Sequence, residues 1–259
     1  MSQATVLTER KDGILIVTLN RPEVRNAVDR PTADALRQVF EEFDRDDTLS
    51  VAILQGSGGN FCAGADLGAI SDPQRRNQID EQGSGPGPMG PTRLILSKPV
   101  IAAVSGYAVA GGLELALWCD LRVAEEKAVF GVFCRRWGVP LIDGGTVRLP
   151  RLIGQSRAMD MILTGRAVDA QEALSFGLTN RVTEAGGALG AAMDLAQQIA
   201  AFPQRCLRAD RTSALKQWQQ SEPDALRQEG VGGYPVVFEE ALAGAARFKS
   251  GKGRHGEFE

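Results

Sequence analysis

Histidine is almost absent from this sequence, and its cysteines follow no paired spacing. One histidine occurs in 259 residues, and this residue, His255, lies four residues from the end of the chain. We expect it in a solvated tail, too far from any serine or cysteine nucleophile to act as its base. Four cysteines are present without a CxxC pair or a Cys/His cluster, so we predict neither a metal site nor a disulfide framework.

Long hydrophobic runs and a strong net charge are also missing. The longest predominantly apolar runs, residues 100–104 and 113–119, are far shorter than the ~20 residues of a membrane-spanning helix. The first eleven residues are polar and show neither a secretory nor a transit-peptide pattern. The net charge of −3 gives no electrostatic argument for nucleic-acid binding. We therefore expect a cytoplasmic protein with neither a membrane nor a nucleic acid as partner.

Glycine-rich phosphate loops are a further absence. Residues 56–61 read Gly-Ser-Gly-Gly-Asn-Phe, so Phe61 stands where a GxGxxG motif needs its third glycine. The GxxxxGK[ST] motif does not occur anywhere in the chain. These two patterns therefore give no support to a dinucleotide-binding or P-loop protein.

The patterns that are present indicate an α/β protein. β-Branched and apolar runs predict strands in roughly the first 185 residues, and helical periodicity prevails after residue 144. A stretch rich in Gly and Pro, residues 71–91, predicts a mobile loop. Asp169, followed by Glu172 three residues later, predicts a helix start. We predict strands at 5–10, 14–20, 51–55, 100–104, 121–124 and 128–130, and helices at 31–43, 111–118, 155–163, 169–176, 187–201, 204–219 and 223–248.

Two turns built from small residues each follow a predicted strand and lead into a helix. The first is 61–67 (FCAGADL) and the second is 108–114 (AVAGGLE). Small residues let a ligand approach the backbone closely, and free N–H groups at a helix start lie at the positive end of its dipole. Two such groups that converge would form an oxyanion hole, although either turn alone could need its glycines for geometry only.

Glu114 follows the second turn and is the only charged residue between Tyr107 and Asp120. Its carboxylate could simply complement the helix dipole in the first turn. Alternatively it is a buried acid or base, because desolvation among apolar neighbours raises the pKa of a carboxyl group toward neutrality.

At this point the sequence resembles the crotonase (enoyl-CoA hydratase/isomerase) family over essentially its whole length. The resemblance is strongest in residues 98–116 (KPVIAAVSGYAVAGGLELA), which match the family's signature strand, turn and helix. Residues 20–27 (NRPEVRNA), 61–67, 163–166 (LTGR) and 170–178 (AQEALSFGL) are similar to further family segments.

The resemblance implies a role for individual residues and a fold. The reaction of the family passes through a thioester enolate, whose oxygen would be held by backbone N–H groups. The implied fold is the ClpP/crotonase-like spiral of ββα units with a C-terminal helical region. The implied site residues are Ala65 and Gly111 in the oxyanion hole, Glu114 as an acid/base, Ala63, Asp66 and Leu67 along the CoA path, and Arg25 near the CoA phosphates.

The resemblance also implies a division of the chain and an assembly. Residues 1–185 would form the spiral core, and residues 186–259 would form a helical trimerisation and lid region. The protein would be a homotrimer or a homohexamer. Phe248, Lys249 and Lys252 fall where the family places groups that reach CoA. No cofactor is implied, because coenzyme A is part of the substrate.

The sequence departs from the hydratase pattern at Cys134, which aligns with the second catalytic glutamate. No carboxylate occurs between Lys127 and Leu141, and a thiol with a reference pKa of about 8.5 is a poor substitute for one. The next carboxylate is Asp143. It is either the N-cap of the helix that follows or a displaced second acid/base.

We predict an enzyme that processes an acyl-CoA, with enoyl-CoA hydratase as the named activity, a lyase of fatty acid metabolism. Two alternatives follow from Cys134: an isomerase-type reaction and a non-catalytic acyl-CoA-binding protein on the same fold. A thioesterase that uses Cys134 as nucleophile is a third, which lacks an evident base.

Overall fold

Nine strands form two sheets in this computed structural model, which describes residues 4–251. The strands are β1 (Val6–Lys11), β2 (Ile14–Leu19), β3 (Val51–Gly56), β4 (Val100–Val104), β5 (Tyr107–Val109), β6 (Leu121–Glu125), β7 (Val129–Gly131), β8 (Ala167–Asp169) and β9 (Arg181–Thr183). The larger sheet has the order β1-β2-β3-β4-β6-β9, and the smaller one has the order β5-β7-β8. In the larger sheet β1 pairs antiparallel with β2, and every later pair is parallel.

The parallel strands are apolar because both of their faces are covered. All five residues of β4 are buried, and so are the first four residues of β3. Parallel sheets with helices on their faces produce such continuous apolar runs instead of alternation. β1 is an edge strand and is mostly exposed. The predicted strands at 14–20, 51–55 and 100–104 are confirmed.

Residues 4–251 contain nine α-helices: α1 (Arg30–Arg45), α2 (Gly111–Trp118), α3 (Gly145–Ile153), α4 (Gln155–Thr164), α5 (Ala170–Phe176), α6 (Ala188–Ala201), α7 (Gln204–Lys216), α8 (Glu222–Val236) and α9 (Leu242–Lys249). Asp169 caps α5 by accepting a hydrogen bond from the N–H of Glu172, as predicted. The predicted helix at 223–248 is interrupted by a π-helical turn, Val237–Ala241, between α8 and α9. No helix among residues 4–251 combines the length and apolar character that a bilayer crossing requires.

The chain divides into two compact units, the first ending at Ile199 and the second beginning at Ala200. In the second unit, the Glu240 carboxylate accepts hydrogen bonds from the N–H groups of Arg205 and Cys206, at 3.1 and 2.8 Å. A carboxylate at a helix N-terminus satisfies free donors and complements the dipole, so Glu240 fixes the start of α7. The functional division at residue 185 stays a prediction.

Residues 71–90 contain neither helix nor strand. Side chains tie the segment to the core. Arg75 contacts the Asp29 carboxylate at 2.9 Å, and the Asn77 amide donates to the carbonyls of Val28 and Pro88 at 3.1 and 2.7 Å. The predicted absence of regular structure is confirmed for residues 71–90, whereas Pro91 begins a short 3-10 helix, Pro91–Arg93. The mobility of the loop stays a prediction.

Candidate active site

The two small-residue turns lie directly against each other. The Cys62 N–H donates to the Tyr107 carbonyl at 2.9 Å, and the Val109 N–H donates to the Cys62 carbonyl at 3.1 Å. A Cβ atom added to Gly64 would lie 3.0 Å from the backbone nitrogen of Gly111. A glycine is needed here for this close approach, and Gly64 also has a φ of +101°. The structure thus brings the two turns together.

Both predicted oxyanion donors are left available by their local structure. Ala65 forms an isolated parallel bridge with Val28, and this bridge uses the carbonyl of Gly64 and the N–H of Asp66. The N–H of Ala65 itself takes no part in the bridge. Gly111 is the first residue of α2, where an N–H has no acceptor within the helix. Two available N–H groups therefore belong to adjoining turns.

Ala110 has a strained backbone immediately before the second donor. Its φ and ψ are +53° and −127°, a conformation that costs a non-glycine residue about 1–3 kcal/mol. The Ala110 N–H donates to the carbonyl of Gly131 at 2.9 Å, which fixes the turn against β7. The strained turn orients the start of α2, and a run of small residues does not indicate that an alanine will adopt this conformation.

Glu114 is buried and its carboxylate is held by backbone donors from another segment. Its Oε1 accepts hydrogen bonds from the N–H groups of Asp143 and Gly145, at 2.9 and 2.8 Å. Burial, and next the nearby Asp143 charge, raise the pKa of Glu114 to about 7. The carboxylate therefore binds a segment beyond its own helix, and it has the pKa of an acid/base group that works at neutral pH.

Asp143 is buried beside Glu114 and does not cap α3. Gly144 occupies the N-cap position, and no side chain caps the helix, so the N-cap alternative is wrong. The Oδ1 of Asp143 accepts hydrogen bonds from the Met89 N–H, at 2.9 Å, and from the Thr92 hydroxyl. Burial raises the pKa of Asp143. The structure thus places a second buried carboxylate next to the first.

Cys134 is buried near the Glu114 carboxylate. Burial, and then the charge of Glu114, raise the pKa of its thiol. Nucleophilic cysteines require the opposite shift, because the thiolate is the reactive form. The electrostatic environment therefore argues against Cys134 as a nucleophile.

The raised pKa of Glu114 makes the stability of the protein depend on pH. A carboxyl group whose pKa is higher in the folded state binds an extra proton in that state. Its stabilising effect is therefore complete below the unfolded pKa of 4.5 and is lost as the pH rises to about 7. We expect the free energy of unfolding to fall by roughly 3 kcal/mol across this window. Urea unfolding at several pH values measures the fall.

The matched control for this pH prediction is a carboxylate outside the site. Glu114→Gln cannot titrate, so its free energy of unfolding should fall much less between pH 4.5 and 7. Glu126→Gln, at an exposed position, should keep the wild-type slope. An identical slope in Glu114→Gln and the wild type would contradict the assigned pKa.

The predicted CoA-binding residues lie on and beside the first turn. The N–H of Ala63 donates to the carbonyl of Arg25 at 3.0 Å. Arg25 is exposed, and its guanidinium lies 5.3 Å from the centre of the Tyr107 ring. Leu67 is exposed and Ala63 is half-buried. Arg25 and Ala63 are therefore brought together, and Arg25 presents a cation at the surface.

Asp66 uses its carboxylate for an ion cluster that sequence reasoning missed. Its Oδ2 contacts Arg21 at 2.9 Å and Arg75 at 3.2 Å, and both arginines also contact Asp29. This cluster fixes the first turn to the segment before α1, which contains Arg21 and Asp29, and to the loop 71–90, which contains Arg75. Any contribution of Asp66 to a ligand therefore comes from its backbone. The spacing of these four residues in the sequence carries no signal of the cluster.

The C-terminal candidates are only partly described. Phe248 and Lys249 lie at the end of α9 and are exposed. Lys252 and His255 lie outside the described residues. Their predicted roles, a CoA contact for Lys252 and a solvated tail for His255, stay predictions.

Two chemical parts are therefore collected in one region: available backbone amides in the adjoining turns and two buried carboxylates, while Ala63 and Ala65 of the first turn are half-buried. Residues 4–251 contain no cluster of His, Cys, Asp or Glu side chains suited to a metal ion. Such an arrangement stabilises negative charge on a carbonyl oxygen and moves protons beside it. That is the chemistry of an enzyme that forms an enolate.

Comparisons with known proteins agree with this class. Residues 9–234 match the family model described as enoyl-CoA hydratase/isomerase. The chain is 40% identical to the mevalonyl-coenzyme A hydratase of Aspergillus fumigatus, over 72% of this chain and 68% of that protein. It is 41% identical to the carnitinyl-CoA dehydratase of Proteus mirabilis, over 77% of this chain and 76% of that protein. The crystal structure of enoyl-CoA hydratase EchA1 from Mycobacterium marinum superposes with a TM-score of 0.90, at 37% identity over 96% of each chain.

The chain belongs to the enoyl-CoA hydratase/isomerase family. The predicted family, the predicted crotonase fold and the prediction of a hydratase-type enzyme acting on acyl-CoA are confirmed.

Proposed function

We propose that this protein is an enoyl-CoA hydratase that uses Glu114 and Asp143 as its acid/base pair. The observation that carries the proposal is the hydrogen bonding of the two carboxylates. Each has one oxygen fixed by two donors, and no hydrogen bond within residues 4–251 reaches the other oxygen of either. A free oxygen on each of two adjacent buried carboxylates suits a reaction that needs one proton removed and one delivered.

In the proposed reaction, one carboxylate removes a proton from water as the water oxygen bonds to the β-carbon of the enoyl thioester. The electron pair of the double bond moves to the thioester oxygen, where the N–H groups of Ala65 and Gly111 stabilise the negative charge. The other carboxylic acid then delivers its proton to the α-carbon, giving a 3-hydroxyacyl-CoA. The nearby Asp143 charge favours protonation of Glu114, and burial raises the pKa of Asp143 as well.

For binding, we propose that Ala63, Asp66 and Leu67 line the path of CoA through their backbone and that Arg25 lies near its phosphates. The exposed Arg25 guanidinium and the ion-paired Asp66 carboxylate support this division of roles. The predicted CoA contacts of Phe248 and Lys249, both exposed at the end of α9, stay predictions. No cofactor is required, because coenzyme A enters as part of the substrate.

For the assembly, we propose a homotrimer or homohexamer in the cytoplasm, built by a trimerisation and lid region over residues 186–259. The second unit exposes large apolar side chains that a partner surface would cover, namely those of Val231, Tyr234, Phe238 and Leu242. The rings of Tyr234 and Phe238 contact each other, with centroids 5.2 Å apart, and large exposed apolar patches mark interaction sites.

A panel of 2-enoyl-CoA esters with short, medium and long acyl chains tests the proposed function. Mass spectrometry should detect the addition of water by the wild type, and Asp143→Asn should lose most of this activity. Conversion of 3-enoyl to 2-enoyl esters without hydration would identify an isomerase. Release of free CoA that Cys134→Ser abolishes would identify a thioesterase, and saturable binding without any turnover would identify a non-catalytic binder.

A further inference from the structure

A short segment, residues 87–93, surrounds the Asp143 carboxylate. The Met89 N–H and the Thr92 hydroxyl both donate to the same oxygen, Oδ1. A Cβ atom on Gly87 would overlap the Thr92 hydroxyl oxygen and would lie 2.9 Å from Oδ1 of Asp143. The backbone of residue 87 therefore lies so close to this hydrogen bond that only glycine fits.

The same segment also packs on the Cα of Gly111 in the second turn. A Cβ atom on Gly111 would lie 2.6 Å from the Met89 sulfur and 3.1 Å from its terminal methyl carbon. Met89 thus contacts Gly111 through its side chain and Asp143 through its backbone. One residue links the proposed oxyanion donor to the proposed acid.

The backbone of Thr92 is fixed by hydrogen bonds of its own, and its hydroxyl donates to Asp143. The Arg148 guanidinium donates to the Thr92 carbonyl at 2.7 Å and to the Asp143 carbonyl at 2.9 Å. A hydrogen bond of 2.8 Å from the Gly90 N–H to the Gly87 carbonyl closes the turn before Thr92. Thr92 is buried, so water cannot readily replace it as a donor.

We propose that Thr92 is a positioning residue for Asp143: its hydroxyl and the Met89 N–H fix one carboxylate oxygen and leave the other to exchange protons with the substrate. This inference rests on the proposed function, because it gives Asp143 a catalytic role. Thr92 acts through Asp143 and need not touch the substrate.

In addition to the neutral Thr92 hydroxyl, three charged groups face Asp143. Glu114 faces it from α2, Arg93 from the turn after residue 90, and Arg148 from α3. Burial raises the pKa of Asp143, and the Thr92 hydroxyl is the largest of the opposing influences. Thr92 is neutral, so its replacement removes a hydrogen bond without changing any charge in the site. The pKa of Asp143 should then rise further.

The test compares Thr92→Val, which has the same shape without a hydroxyl, with Thr92→Ser, which keeps it. The pH dependence of kcat/KM is measured for both, and the limb that disappears in Asp143→Asn is assigned to Asp143. We expect this limb to move to higher pH by about half to one unit in Thr92→Val. In Thr92→Ser it should return to the wild-type position, which a merely structural role of Thr92 does not explain.

Carbon NMR of the aspartate carboxyl groups provides a readout that is independent of turnover. The signal missing in Asp143→Asn identifies the residue, and its pKa should rise in Thr92→Val. Thr92→Ala, which also removes the hydroxyl and introduces no new atoms, should produce the same rise if Thr92→Val does not fold. The inference would be overturned if the Asp143 pKa were unchanged in a folded variant that lacks the hydroxyl. It would also be overturned if the Asp143 pKa shifted as much in Thr92→Ser as in Thr92→Val.

The two readouts separate this inference from the proposed function. If Thr92→Val raises the Asp143 pKa but Asp143→Asn hydrates at the wild-type rate, positioning stands and the catalytic role of Asp143 is wrong. If Asp143→Asn is inactive but Thr92→Val leaves the pKa and the pH profile unchanged, the inference is wrong and the proposed function stands.

Discussion

Glu114→Gln is expected to lower kcat for hydration about 10²–10⁴-fold, the usual contribution of a general acid or base. Glutamine has the shape of glutamate, and its carbonyl oxygen can still accept the N–H groups of Asp143 and Gly145 that now bind Oε1. The variant should therefore keep the fold and the substrate pocket while it loses only the exchangeable proton. Steady-state kinetics should show a reduced kcat with little change in KM.

The matched control for this variant is Glu126→Gln, which makes the same chemical change at an exposed position and should retain wild-type kinetics. In the wild type, the pH profile should also contain a limb near the Glu114 pKa of about 7. That limb should be missing from the residual activity of Glu114→Gln. Equal kcat values in the wild type and Glu114→Gln would exclude Glu114 as a catalytic group.

Glu114 illustrates which parts of the site are predictable from the sequence. It stands alone as a charge in an apolar helix, so burial and a raised pKa follow from its neighbours in the chain. The two turns were predictable for a similar reason, because strand, small residues and helix follow one another locally. Family resemblance then gave each position a role that local patterns do not supply.

Asp143 shows where sequence reasoning stops. An aspartate before Gly144 suits an N-cap as well as an acid, and the difference depends on which donors approach it. Those donors, Met89 and Thr92, are more than fifty residues away in the chain. The strain at Ala110 was equally inaccessible, because a left-handed backbone at alanine is imposed by tertiary contacts.

The fold shows the same limit. Runs of four or five buried residues, as in β3 and β4, were recognised, because their length and composition are typical of strands in a parallel sheet. β5, β8 and β9 have three residues each, too few to establish a period of two. Pairing partners far along the chain determine such strands.

Ala65→Pro is expected to lower kcat about 10²–10³-fold, which is typical for the loss of one oxyanion donor. Proline has no N–H, so the change deletes the proposed donor and adds no charge. The bridge to Val28 should survive, since it uses the carbonyl of Gly64 and the N–H of Asp66. Steady-state kinetics give kcat, and calorimetric titration with a saturated acyl-CoA reports whether ligand binding is retained.

Ala65→Gly is the matched control, because it removes the side chain but keeps the donor, and it should remain close to wild type. If Ala65→Pro folds, binds the saturated ester and is as active as Ala65→Gly, the Ala65 amide does not hold the thioester oxygen.

The double variant that combines Ala65→Pro with Glu114→Gln adds a sharper test. A backbone donor and a carboxylate that act on the same enolate should give a combined loss smaller than the product of the single losses. A combined loss equal to the product would mean that the two groups stabilise the transition state independently of each other.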